Sequence, residues 1–227
     1  MGSRTVVATF GEGCYFAGYD VALPTEYAYK SKSEGGIWEE GDLRRDESIR
    51  YDFTYLGITP TEVSWGADEL DPHIKKYEDE RTDQFNGNLA NEWYSGKNFI
   101  VLRYADVLLC YAECLNELGE TGEANTVVNQ VRARAWGGTL PNEMAWNYGQ
   151  DEFRVQIMDE RIRELCFEGW RRMDLIRTGK FVELIKERNP WAKKSGTIKE
   201  FHMRWPIPDT EIKNNSDISE EDQNPGY

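Results

Sequence analysis

Histidine is nearly missing from this chain: His73 and His202 are the only two, and neither stands beside a serine or cysteine in a nucleophile setting. A catalytic triad therefore has no support. The four cysteines, at positions 14, 110, 114 and 166, lack the paired short spacings of a zinc site or a redox motif. Cys14 follows Gly11-Glu12-Gly13 instead of an apolar export segment, so it does not read as a lipid-bearing cysteine. Positive charge is in deficit, with 27 Lys and Arg against 41 Asp and Glu and a formal net charge of −14. Such a surface repels phosphate backbones and anionic headgroups, which argues against a nucleic-acid partner. No run approaches the roughly 18 consecutive apolar residues that a bilayer span needs. The glycine pairs Gly35-Gly36 and Gly137-Gly138 are not spaced as a phosphate loop between a strand and a helix, and read as turns.

Aromatic side chains, by contrast, are abundant: 8 Trp, 12 Tyr and 9 Phe make 13% of the chain. Each ring is a large flat face that can plug a core or hold a ligand. Residues 1–98 are rich in Gly, Tyr and Trp with few periodic runs, and read as a loop-rich aromatic part with short elements. Val6 to Phe10 and Tyr51 to Tyr55 are expected as short strands.

From residue 99 the pattern changes. Ala105, Leu108, Ala112, Leu115 and Leu118 recur at steps of three and four, predicting an amphipathic helix that ends at Gly119. Cys110 and Cys114 fall within it and are expected as small buried hydrophobes. Thr121 is placed to cap a second helix with the stripe Ala124, Val127, Val128, Val131 and Ala135, stopping at Gly137-Gly138. Asp151 is placed to cap a third helix with Phe153, Ile157 and Leu165 inward. A fourth carries Trp170, Met173, Ile176, Phe181, Leu184 and Ile185, with Gly179 placed to interrupt it and Pro190 a stop. Two tandem hairpins of roughly 35 residues match tetratricopeptide units, which must stack to bury their faces. The fold is thus expected to be mainly α, with tetratricopeptide-like hairpins in 99–227 joined to the aromatic part, 1–98, in one continuous structural domain. The tail from Ile198 is expected to wrap as extended chain.

Five ordered blocks carry a family resemblance. Leu102-Arg103-Tyr104-Ala105-Asp106-Val107-Leu108-Leu109 with Tyr111 to Glu117, Val128 to Ala135, Glu160 to Leu165 with Glu168 to Arg177, Pro206 to Ile212, and Gln223-Asn224-Pro225-Gly226-Tyr227 together resemble the C-terminal portion of SusD/RagB proteins. Gly41-Asp42-Leu43-Arg44-Arg45-Asp46 resembles a loop of the same family more loosely. The resemblance implies a piece of a longer surface-exposed lipoprotein of the cell outer membrane, tethered by a lipid anchor outside this sequence. It also implies capture of an oligosaccharide or polysaccharide and hinge-like delivery to a TonB-dependent, SusC-like transporter. No catalysis and no cofactor are implied, although a structural calcium ion on Asp or Glu loop oxygens is compatible. Peptide capture within the same family, or a helical scaffold that binds only protein, are the alternatives.

Glu160, Glu164 and Glu168 form one helical row that superficially suits glycoside hydrolysis. Interleaved with Arg161, Arg163, Arg171 and Arg172, they read instead as an ionic lattice that orients helices. Asp174 and Arg177 read the same way. A saccharide presents an apolar C–H face and a polar rim, so a ring platform with neighbouring polar groups can bind it without chemistry. Tyr15, Phe16, Trp38 and Trp65, in irregular Gly-containing stretches, are the expected ligand-binding rings. Trp146 and Tyr148 are held in reserve, while Trp170 and Trp205 are assigned to packing.

Overall fold

The computed structural model describes residues 23–51, 71–77 and 97–227 in full, and the backbone of 7–10 and 14–16. The chain divides into two compact units, residues 1–171 and 172–227. Among the described residues the architecture is helical with little sheet.

In the first unit, β1 (Val7–Phe10) pairs antiparallel with β2 (Cys14–Phe16), and α1 (Glu26–Tyr29) follows. A tight turn comes next, in which a Cβ at Gly36 would meet the Lys30 carbonyl oxygen at 2.1 Å, so only glycine fits. α2 (Arg44–Ser48) runs into β3 (Ile49–Arg50), which pairs antiparallel with β4 (His73–Ile74), placing Ile49 opposite Ile74. Tyr51 follows β3 outside any strand and bonds Asp46 through its hydroxyl, and the rest of the strand expected at 51–55 lies outside the described residues.

α3 (Tyr104–Glu117) and α4 (Thr121–Ala135) form the hairpin read from the sequence, and α5 (Gln150–Leu165) packs on both. The stripe of α4 is buried at all five expected positions, and Gly137 and Gly138, both at positive φ, end it. α3 is rotated from its expected face. Its buried positions are Asp106, Leu109, Ala112, Leu115 and Asn116, while Leu118 is exposed. The burial of Asp106 explains the rotation, because its carboxylate meets Arg161 of α5 at 2.9 Å. Cys110 and Cys114 are consequently exposed, correcting the expectation that they are buried. The N-terminal caps also differ: Thr121 donates its hydroxyl to Asn116 instead of capping α4, and Gly149, not Asp151, precedes α5.

The second unit holds α6 (Arg171–Arg177) from its second residue onward, then α7 (Phe181–Arg188), α8 (Pro190–Ser195) and α9 (Asp209–Asn214). Gly179 breaks the expected fourth helix in two, and Pro190 begins α8 at a position where its missing N–H costs nothing. The tail is less extended than expected: α9 and two short 3-10 turns interrupt it. Its end folds back, with the Gln223 side-chain amide exchanging two hydrogen bonds with the Ile207 backbone, at 2.8 and 3.0 Å. Trp205 is 69% exposed, so packing does not account for it, although the Arg172 guanidinium lies over its ring.

Candidate functional site

The acidic row of α5 is the most charged part of the interior. Glu160, fully buried, accepts from Arg44 of α2 at 2.7 Å, Arg132 of α4 at 2.9 Å and Arg163 of its own helix at 2.8 Å. Glu164 takes Arg44 at 3.0 Å and also Arg103 and Arg134. Glu168 takes Lys76 at 2.5 Å and Arg103 at 2.8 Å. A sharp turn aims Glu168 inward, and Phe167 and Gly169 on either side of it both adopt positive φ. For Phe167 such a backbone costs about 1–3 kcal/mol. The lattice expected from the sequence is present, but most of its cations come from other elements. Arg161 instead meets Asp106, and Arg171 donates to the Met158 carbonyl. Burial would raise the pKa of Glu160, yet Arg44, Arg163 and Arg132 outweigh it and hold the carboxyl far below the usual carboxylate range. A carboxylate so held has no proton to lend as a general acid.

Beside this lattice opens a cavity of about 400 Å³, wholly within the first unit. Its floor holds Glu39 and Arg132, joined at 2.5 Å. Burial would raise the Glu39 pKa, but Arg163, Arg132 and Lys32 pull it below its ordinary value. One wall is the turn Ser31-Lys32-Ser33, and the other is the segment carrying Glu143, Met144, Ala145 and Tyr148.

Side chains of α4 hold that second wall in place. The Asn125 amide accepts from the Tyr148 N–H at 3.2 Å and donates to the Tyr148 carbonyl at 2.9 Å. Asn129 treats Trp146 the same way, at 2.7 and 3.0 Å. Arg132 donates twice to the Met144 carbonyl, at 3.2 and 2.7 Å. The match is geometric: four residues of helix rise about 6 Å and two extended residues advance about 6.7 Å, so the two ladders stay in step. Two apart on the extended segment, Trp146 and Tyr148 share a face, with ring centroids 5.1 Å apart: the Trp146 ring is buried against Phe153 at 5.6 Å, and the half-buried Tyr148 ring beside it lines the cavity. The Arg132 guanidinium lies over both Trp146 and Trp136, at 5.3 and 5.0 Å.

Of the four rings expected to bind ligand, only Trp38 can be placed, and its ring is not the open platform expected. It is 2% exposed, packed with Ile37, Ile49 and Cys166, and its indole N–H donates to the Ala28 carbonyl at 2.6 Å. Ile49 and Cys166, distant in sequence, complete its burial, a long-range consequence that local composition does not show. Trp38 touches the cavity only as part of its lining. The side chains of Tyr15 and Phe16, and all of Trp65, lie outside the described residues. Of the two reserve rings, Trp146 is buried and Tyr148 is the one that the cavity presents. The asparagine ladder that positions it was missed, although Asn125, Asn129 and Arg132 at steps of four and three were visible on one helical face.

A second cavity, of about 470 Å³, opens over Arg44, Arg103 and Glu164. Its buried cations are already spent on the lattice carboxylates. Among the described residues no group of three or more His, Cys, Asp or Glu could hold a metal ion.

A model of the SusD family matches residues 18–227. Over 222 residues, 94% of its length, the chain is 31% identical to the SusD-like protein P2 of Formosa agariphila, of which it covers 41%. It is 28% identical over 159 residues to the starch-binding protein SusD of Bacteroides thetaiotaomicron, covering 68% of this chain and 26% of that protein. A solved SusD homolog from Bacteroides thetaiotaomicron superposes with a TM-score of 0.60 at 24% identity, over 82% of this chain and 41% of that one, which shows a common fold. The chain spans less than half the length of each of these relatives.

Proposed function

Because this chain belongs to the SusD family, we propose that it captures oligosaccharides at the cell surface and passes them to a TonB-dependent, SusC-like outer-membrane transporter without breaking a bond. The observation that carries the reading is the cavity wall on which α4 holds Tyr148 through main-chain hydrogen bonds, beside hydroxyl and carboxylate groups suited to a sugar rim. No hydrogen bond occupies the Tyr148 hydroxyl among the described residues, so ring and hydroxyl are both available to a ligand. The relative named a starch-binding protein supports a saccharide over a peptide. Neutralisation of Glu160 and Glu164 by arginines supports binding over hydrolysis, since the cations lower both pKa values and favour the ionised carboxylates, which cannot act as general acids. Tyr15, Phe16 and Trp65 are retained on sequence grounds as further rings for the same ligand. Attachment in this reading is to the outer membrane by a lipid. No helix among the described residues is long and apolar enough to cross a membrane.

Calorimetric titration with oligosaccharides and with peptides tests this directly. Tyr148→Ala keeps the main-chain clamp and removes the ring, so saccharide affinity should fall about tenfold, the worth of a stacked aromatic contact. Unchanged affinity in that variant, peptide binding alone, or release of reducing sugar would each overturn the proposal.

A further inference from the structure

We infer that this cavity selects among saccharides by charge, taking neutral or amine-bearing chains and rejecting those that carry carboxylate or sulfate groups. The inference rests on the saccharide-binding reading and adds the class of ligand. Two cations face the cavity, Lys32 and Arg132, and both are engaged. Lys32 donates to Glu39 Oε1 at 2.6 Å, and Arg132 divides its donors among Glu39 Oε2, Glu160 and the Met144 carbonyl. An anionic ligand that drew either cation away would leave the Glu39 carboxylate, whose side chain is only 9% exposed, short of a counter-charge. The ionic groups in the lining that no described residue engages are both acids: Glu40 and Glu143 are exposed and make no ion pair or hydrogen bond among the described residues. Their oxygens are acceptors for sugar hydroxyls or for an ammonium group, and they repel an acidic sugar. The formal charge of −14 over the whole chain acts in the same direction at longer range.

The test is an array of neutral, amine-bearing, uronate-bearing and sulfated glycans, probed at low and high salt with the native chain and with a Glu40→Gln/Glu143→Gln double variant. The native chain should retain only neutral and amine-bearing glycans. The double variant should gain about tenfold in binding to acidic members at low salt, with the gain shrinking at high salt as charges are screened. Equal retention of acidic and neutral glycans by the native chain overturns selection by charge while leaving saccharide binding intact. A double variant that gains nothing overturns the role of these two carboxylates. No retained glycan of any class overturns the inference together with the reading beneath it.

Discussion

Arg132 shows how far one side chain can reach across this protein. It neutralises Glu39 and Glu160, holds the Met144 carbonyl and stacks on two indoles, and it is 1% exposed. Its partner Glu160 sets the acid stability of the first unit. The folded pKa is depressed below the unfolded value of about 4.3, so the stabilisation is fully present above that pH and is lost as pH falls through the depressed value. Glu164 and Glu39 shift in the same direction. Denaturant midpoints should therefore hold steady from neutral pH to about 5 and fall below it. Glu160→Gln, which leaves three arginines short of a counter-ion, should be less stable at neutral pH by about 3–5 kcal/mol and should lose less on acidification. Equal acid slopes in the two proteins would remove Glu160 from this role. Thiol labelling makes a second check at the same scale. Cys110 and Cys114 should react in the folded protein, with Cys110 slower because burial of its sulfur raises its pKa, while Cys166 should wait for unfolding. Peptide mapping that finds Cys166 labelled first would contradict the packing.

α4 is the element on which the site depends, since one face fills the core and another supplies the ladder. Asn129→Ala removes both bonds to Trp146 and should cost about 1–3 kcal/mol. The Trp146 amide should then lose hydrogen-exchange protection, and saccharide affinity should fall although no ligand contact is deleted. Protection at the native level would show that the ladder is not what holds the segment. The α4 stripe was readable from sequence because five small apolar residues recur along it at helical spacing, even though Asn125 and Arg132 are buried beside them. α3 was misread because its inward face includes Asp106 and Asn116, whose polarity hides them from any count of hydrophobic periodicity. The Gly41 to Asp46 stretch was legible as a family-like loop. Its contribution of Asp42 and Arg44 to the lattice depends on contacts more than a hundred residues away in sequence, which local pattern does not encode.

Over the whole chain, the two compact units are secured differently. The first is held by a charged interior with hydrophobic stripes around it. The second has few buried large side chains, and its tail is fastened by short polar ties: Gln223 to Ile207, Asn224 to the Trp205 carbonyl and Tyr227 to the Arg204 carbonyl. Gln223→Ala should speed tryptic cleavage after Arg204 and Lys213 with little change in the melting of the first unit. Unchanged cleavage would mean that the other two ties suffice. The helical class and the α3–α4 hairpin followed from periodicity, whereas the folded-back tail did not, because its ties are side-chain amides on backbone groups, a pairing that leaves no repeat in the sequence.

The asparagine ladder also gives the cavity two unlike banks. The Tyr148 bank moves only if α4 moves, because every second peptide there is bolted to the helix. The facing bank is an exposed 3-10 turn over Lys32 to Glu34, tied to the rest of the described residues only at its start, where Lys32 bonds the Trp38 carbonyl and Glu39, while Ser31, Ser33 and Glu34 bond one another. On the proposed saccharide reading, tolerance for branches, altered linkages or longer chains would come from give in that turn, so sequence differences that change ligand preference should fall in residues 31–34 sooner than at the tyrosine across the cavity.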